Sequence, residues 1–130
     1  MALIRPLGKK YNSTTIYTSS ATTQSSGNIT LTNSISNYDY LKFTFIGNSS
    51  SQDECSIICD VEKFKQLVNS ETNYDFAGLQ SPCTRYSSAT YTRQIHYVDD
   101  TTILLGACRQ AHGSGENNTL GLLTKIEGIV

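Results

Sequence analysis

An all-β fold, an antiparallel β-sandwich of jelly-roll-like type with at most one short helix, is predicted by three features of this chain. Ser, Thr and Asn make up 41 of its 130 residues, while Asp, Glu, Lys and Arg supply only 16%. Branched Thr suits a pleated surface, whereas Ser and Asn favour turns over helix interiors. Apolar residues also recur with a two-residue period in short runs, most clearly at Leu41, Phe43 and Phe45. Turn-rich stretches separate about seven such runs, the pattern of a sandwich or barrel.

Residues 1–11 read as an arm, because Pro6 and Gly8 interrupt any regular element. Residues 12–130 read as one sandwich domain. Thr14–Thr18 is the first predicted strand, followed by a Ser/Thr/Gln-rich surface loop, 19–27, with no apolar residue to bury except Ala21. Asn28–Thr32 alternates polar and apolar residues as a half-buried strand does. A turn over 33–39 leads into Tyr40–Ile46, ended by Gly47-Asn48. Cys55–Val61 is next, with Cys55, Ile57, Cys59 and Val61 on one side. Glu62–Asn69 is the one helical candidate, turning Phe64, Leu67 and Val68 inward. After a long connection over 70–82, Arg85–Val98 reads as a long strand or a bent pair. Asp99-Asp100 turns the chain into Thr101–Arg109, 111–118 is a flexible tip, and Thr119–Ile129 closes the sheet with Leu120, Leu122 and Ile126 inward.

At 130 residues the chain buries roughly two-thirds of its unfolded surface, enough for a core without metal or disulfide support. A net charge of -1, with Lys9-Lys10 the only adjacent basic pair, argues against nucleic acid as a partner. No window approaches the ~18 apolar residues of a membrane span, so no membrane insertion is expected. The first ten residues lack a signal peptide's layout, which predicts a cytoplasmic product with reduced cysteines. Four Asn-x-Ser/Thr matches, at Asn12, Asn28, Asn48 and Asn117, are what chance supplies in so Asn-, Ser- and Thr-rich a chain.

No motif declares a reaction, and no enzyme activity, cofactor or metal is expected. Cys55 and Cys59 on one strand lie about 13 Å apart, beyond the ~7 Å that a disulfide spans. Pairings that include Cys83 and Cys108 stay open, with buried free thiols the leading expectation. Close Cys/His pairs of the zinc-binding kind are absent. His96 and His112 lack a Gly-x-Ser-x-Gly nucleophile. The pairs Asp53-Glu54 and Asp99-Asp100 suit turn capping better than acid–base work. The tyrosines are the best binding candidates: Tyr86, Tyr91, Tyr97, Tyr38 and Tyr74, with Tyr40, present flat rings that stack on sugars or fill an intersubunit seam.

Three segments resemble small virion structural proteins of tailed bacteriophages and their prophage relatives. They are Ile35-Ser36-Asn37-Tyr38-Asp39-Tyr40-Leu41-Lys42-Phe43, the pair Ile95–Val98 and Thr101–Leu105, and the closing Leu123–Ile129. They fall within the last two-thirds or so of the chain. The resemblance implies a virion location after synthesis in the host bacterial cytoplasm, and a tail-fibre, tail-tip or receptor-binding role. It implies a homo-oligomer, commonly a trimer, in contact with other virion proteins. No functional residue carries over position by position. The alternatives are a head decoration or head-fibre protein that stabilises the capsid, or a carbohydrate-binding module for a host-surface glycan. In the leading reading Leu3, Ile4 and Leu7 dock the arm on the virion or a neighbour, and the low-charge flank is desolvated on association.

Overall fold

The computed structural model describes residues 12–51, 53–68 and 78–130. The arm residues Leu3, Ile4 and Leu7, and Tyr74, lie outside the described residues. Among the described residues, eleven strands form three antiparallel sheets, accompanied by one short α-helix. The first sheet has the order β1 (Ser13–Thr18), β11 (Leu122–Ile129), β3 (Tyr40–Ile46) and β4 (Glu54–Asp60). The second runs β2 (Gly27–Thr30), β9 (Thr102–Leu105), β8 (Gln94–Asp99), β5 (Leu79–Gln80). A third, smaller sheet is β10 (Arg109–Gln110), β7 (Ala89–Thr92), β6 (Thr84–Tyr86). The hairpin β3–β4 stays within the first sheet and β8–β9 within the second, so this strand order does not establish jelly-roll winding.

Alternation decides which side chains enter the core. Leu41, Phe43 and Phe45 on β3 face Ile126 and Leu123 on β11, and Ile57 and Cys59 on β4, in register. Ile95, Ile103 and Leu105 of the second sheet complete the same cluster. The helix α1 (Val61–Phe64) starts where the Asp60 carboxylate accepts from the Lys63 backbone N–H at 3.2 Å. It inserts Phe64 between the rings of Phe43, 5.5 Å away, and Tyr97, 6.2 Å away and edge-on. This single turn is shorter than expected, and Val68 is exposed rather than inward, forming a parallel bridge to Tyr97. Val61 belongs to the helix and not to the preceding strand.

The segment Arg85–Val98 is neither one strand nor a simple pair. Tyr86 pairs with Ala89 across a two-residue turn, with Ser87 at φ 50° and Ser88 at φ 65°. Both centres are left-handed, as a type I′ hairpin requires. Serine fills them in place of the usual Asn-Gly, so no sequence signal marked the turn. Arg93 then breaks the chain between β7 and β8. The stretch 111–118 is also more ordered than a flexible tip. Gln110 and Gly115 exchange hydrogen bonds, and Asn118 Oδ1 accepts from the Cys108 backbone N–H at 3.0 Å.

The loop 19–27 departs most from expectation. Gln24 is buried, and its side chain docks like a strand residue onto Leu123: Nε2 donates to the Leu123 carbonyl at 2.7 Å, and Oε1 accepts its N–H at 2.8 Å. An amide side chain satisfies a backbone pair that no sheet neighbour reaches at the β11 bulge between Leu123 and Lys125.

The four cysteines are free, but only Cys108 is buried; Cys55 and Cys83 are exposed and Cys59 is intermediate. Cys55 has the predicted inward register, yet it sits at the open end of edge strand β4. Burial pushes the Cys108 thiol up from its ordinary pKa, partly offset by the Arg93 guanidinium beside it. A thiol reagent at neutral pH should therefore label Cys55 and Cys83 quickly and leave Cys108 unmodified until the chain unfolds. Mass spectrometry of a labelling time course checks this. Rapid labelling of Cys108 in the folded chain would contradict its burial.

Candidate functional site

The outward side of the first sheet is the surface best suited to a partner. Its side chains form cross-strand rows set by the register: Ser13, Ile129, Tyr40 and Asp60, then Thr15, Glu127, Lys42 and Ile58. A third row brings Lys125, Thr44 and Ser56 together, the last two hydroxyls being 3.0 Å apart. Ser13, Tyr40, Lys42, Ile58, Glu127 and Ile129 line a shallow groove of about 380 Å³ across the first two rows. Ile58 is 61% exposed, and Tyr40 is exposed beside it.

The electrostatics of the groove are modest. Glu127 pairs with Lys125 at 3.4 Å, and Lys42 makes no ion pair among the described residues. Ile58 belongs to the edge strand β4, which has a strand neighbour on one side only. Its ends carry Glu54 and Asp60, and acids there oppose edge-to-edge pairing of two copies through β4. The site thus combines an apolar floor, a hydroxyl-rich surround and an acidic rim.

The tyrosines are dispersed, not gathered into one platform. Tyr38 is half-buried against the core, and its hydroxyl accepts from Asn33 Nδ2 at 3.0 Å. Tyr97 also packs on the core and donates to Asp100 at 2.7 Å; that hydrogen bond raises its pKa. Tyr91 is partly buried on β7. Tyr86, 53% exposed, stands at the serine hairpin of the third sheet. Of the five described, Tyr40 alone lines the groove.

The titratable candidates also separate. His96 is buried, with Gly78 so close that a Cβ there would lie 2.8 Å from its Cε1, whereas His112 is exposed in the 111–118 loop. Asp99 caps the hairpin by accepting the Thr101 backbone N–H at 2.9 Å. Asp100 accepts from Ser36 Oγ at 2.6 Å and Tyr97, with Lys65 Nζ 3.7 Å away. No cluster of three potential metal ligands occurs among the described residues, and no described helix is long and apolar enough to cross a membrane. A second concavity of about 290 Å³ between the β3–β4 hairpin and β6 has Cys55, Cys83, Asp53 and Glu54 on its walls.

Asp100 carries a pH dependence. Hydrogen bonds from Ser36 and Tyr97 hold its carboxyl below the ordinary value. A folded pKa below the unfolded one means that the stabilisation is complete above the unfolded pKa and is lost as pH falls through the folded one. Asp100→Asn should therefore lower stability at neutral pH and flatten the loss on acidification below about pH 4. Denaturant melts across pH 2–7 read this, and an unaltered acid limb would contradict it.

Sequence reasoning missed two things here: the groove, whose rows need the register of four strands, and the buried Arg93. No protein-family model matches the chain, and no curated protein matches it either.

Proposed function

We propose that this chain is a non-enzymatic structural protein of a tailed-bacteriophage virion, a jelly-roll-like sandwich module that assembles with copies of itself. Its place in the particle would be the tail fibre or tail tip, where such modules meet the host surface. The observation that supports self-association is the outward face of the first sheet, where Tyr40, Ile58 and Ile129 floor an uncovered groove within a hydroxyl-rich surround. Apolar groups inside a polar rim are what a modest protein interface desolvates. The virion setting rests on the resemblance of Asn37-Tyr38-Asp39 with the strand that follows it, the β8–β9 pair and the closing strand.

Light scattering on the purified chain tests the assembly: a trimer or other closed oligomer is expected, and a strict monomer at high concentration would end the reading. Gold-labelled antibody on intact particles tests location. Label on the tail agrees with this proposal; label on the head transfers the same module to capsid decoration.

Tyr86 favours one second reading, a carbohydrate-binding module, because its ring stands free at the hairpin tip. Glycan-array binding that disappears in Tyr86→Ala would establish it. Binding that survives the substitution, or none at all, removes Tyr86 as a sugar platform.

A further inference from the structure

We propose that the groove on the first sheet receives residues 1–11 of a second copy of this chain, so that subunits are joined by exchanged N-terminal arms. The inference rests on the self-association reading and names the contact that produces it.

Three observations carry it. The first is position. Asn12 continues the β1–β11 ladder, its carbonyl accepting the Val130 backbone N–H at 3.0 Å, and the next residue, Ser13, lines the groove. The arm therefore leaves each subunit at the corner where the groove opens. At Asn12 and Ser13 the backbone still lies in the ladder of β1, aligned with the strand at the sheet's end. Return over its own groove demands an immediate reversal, whereas a neighbouring copy in a closed oligomer accepts the arm still extended.

The second is reach. The groove crosses from β1 to β4, three strand spacings or about 14 Å. Eleven extended residues span up to about 36 Å, more than twice the width of the groove.

The third is chemical fit. Residues 1–11 contain Leu3, Ile4 and Leu7 with Arg5, Lys9 and Lys10, and no acid. The groove offers Tyr40, Ile58 and Ile129 as an apolar floor, with Lys42 and Glu127 on its walls and Asp60 ending the row of Ile129 and Tyr40. The acidic ends of β4 that oppose pairing with another β4 favour a basic segment instead.

The test compares the full chain with one lacking residues 1–11 by light scattering, and titrates a fluorescein-labelled peptide of residues 1–11 into the shortened chain. Expected are an oligomeric full chain, a monomeric shortened chain, and peptide binding that falls at least tenfold in Ile58→Asp. Because Ile58 is exposed, that variant should fold, as its circular dichroism and melting temperature will show. A peptide carrying Leu7→Asp should lose affinity equally, without any change to the sheet. If the shortened chain keeps the oligomeric state of the full chain, or does not bind the peptide, arm exchange is wrong while self-association survives. A monomeric full chain ends both readings; with peptide bound by its shortened form, it places the arm on its own subunit.

Discussion

Arg93→Ala should unfold much of this protein's margin of stability, costing about 3–5 kcal/mol. Arg93 is 1% exposed, yet it makes no ion pair with a carboxylate among the described residues. Its guanidinium instead collects backbone carbonyls from three separate connections. Nη1 donates to Gln24 at 3.1 Å and Gly106 at 2.9 Å, and Nη2 donates to Leu120 at 2.9 Å. Its own backbone is fastened to Ser81 in both directions. Burial lowers the guanidinium pKa from its ordinary value, with the Cys108 sulfur opposing that shift. The group stays charged because even a lowered Arg remains far above neutrality.

Removing this side chain strands three carbonyls and leaves a void, and each unsatisfied buried group costs about 1–3 kcal/mol. Arg93→Lys should recover little, since one ammonium has no fork to span carbonyls on opposite sides. Arg93→Met keeps volume but no donors and should fall between wild type and Ala. Urea melts of the three variants check the order. A loss below about 1 kcal/mol for Ala would show that water replaces the guanidinium at no great cost.

Gly128→Ala is the second large effect, with an expected loss of about 2–4 kcal/mol from overpacking. Gly128 is the penultimate residue of β11, opposite Leu41 on one side and Thr14 on the other. The Tyr38 ring lies across it, and a Cβ at this position would meet the Cγ, Cδ2 and Cε2 atoms of that ring. The missing side chain is thus the space that Tyr38 occupies. Tyr38 can move only by giving up its core contacts and its bond from Asn33. A double-mutant cycle with Tyr38→Ala isolates the clash: the double variant should be more stable than the sum of the single losses allows. Strict additivity would mean that the destabilisation arises in β11 itself.

Local pattern recovered the elements whose determinants are local. Tyr40–Ile46 matches β3, and the Asp99-Asp100 turn joins β8 to β9 as expected, because side-chain alternation and turn chemistry act within a few residues. The register of Cys55, Ile57 and Cys59 was legible for the same reason. Burial of that face was not, since alternation says which way a side chain points and not whether another layer covers it. The Ser87-Ser88 hairpin escaped notice because serine seldom supplies two left-handed residues.

The candidate site was legible in its ingredients and not in its location. Tyr40 is one of six tyrosines that the sequence offers as binding candidates, but its neighbours Ile129 and Ile58 come from strands at residues 122–129 and 54–60. Their meeting depends on β11 pairing between β1 and β3, which brings the end of the chain beside its beginning. Tyr38 and Tyr97 looked equivalent to Tyr40 and Tyr86 in sequence, yet the first pair packs on the core. Tyr97 lies on the same side of β8 as the core residue Ile95, and Tyr38 follows the 35–37 turn and folds its ring over Gly128.

By itself the sequence determined a mostly β chain of short antiparallel strands, the turn between β8 and β9 and the inward residues of β3, since these follow from side-chain geometry over two to seven residues. Only the tertiary structure decided that Gln24 and Arg93 belong in the interior and that a groove opens across the first sheet. Gln24 is satisfied by a backbone 99 residues away, and Arg93 by carbonyls from three connections. A polar side chain becomes an interior residue when distant backbone groups converge on it, and no local period records that convergence.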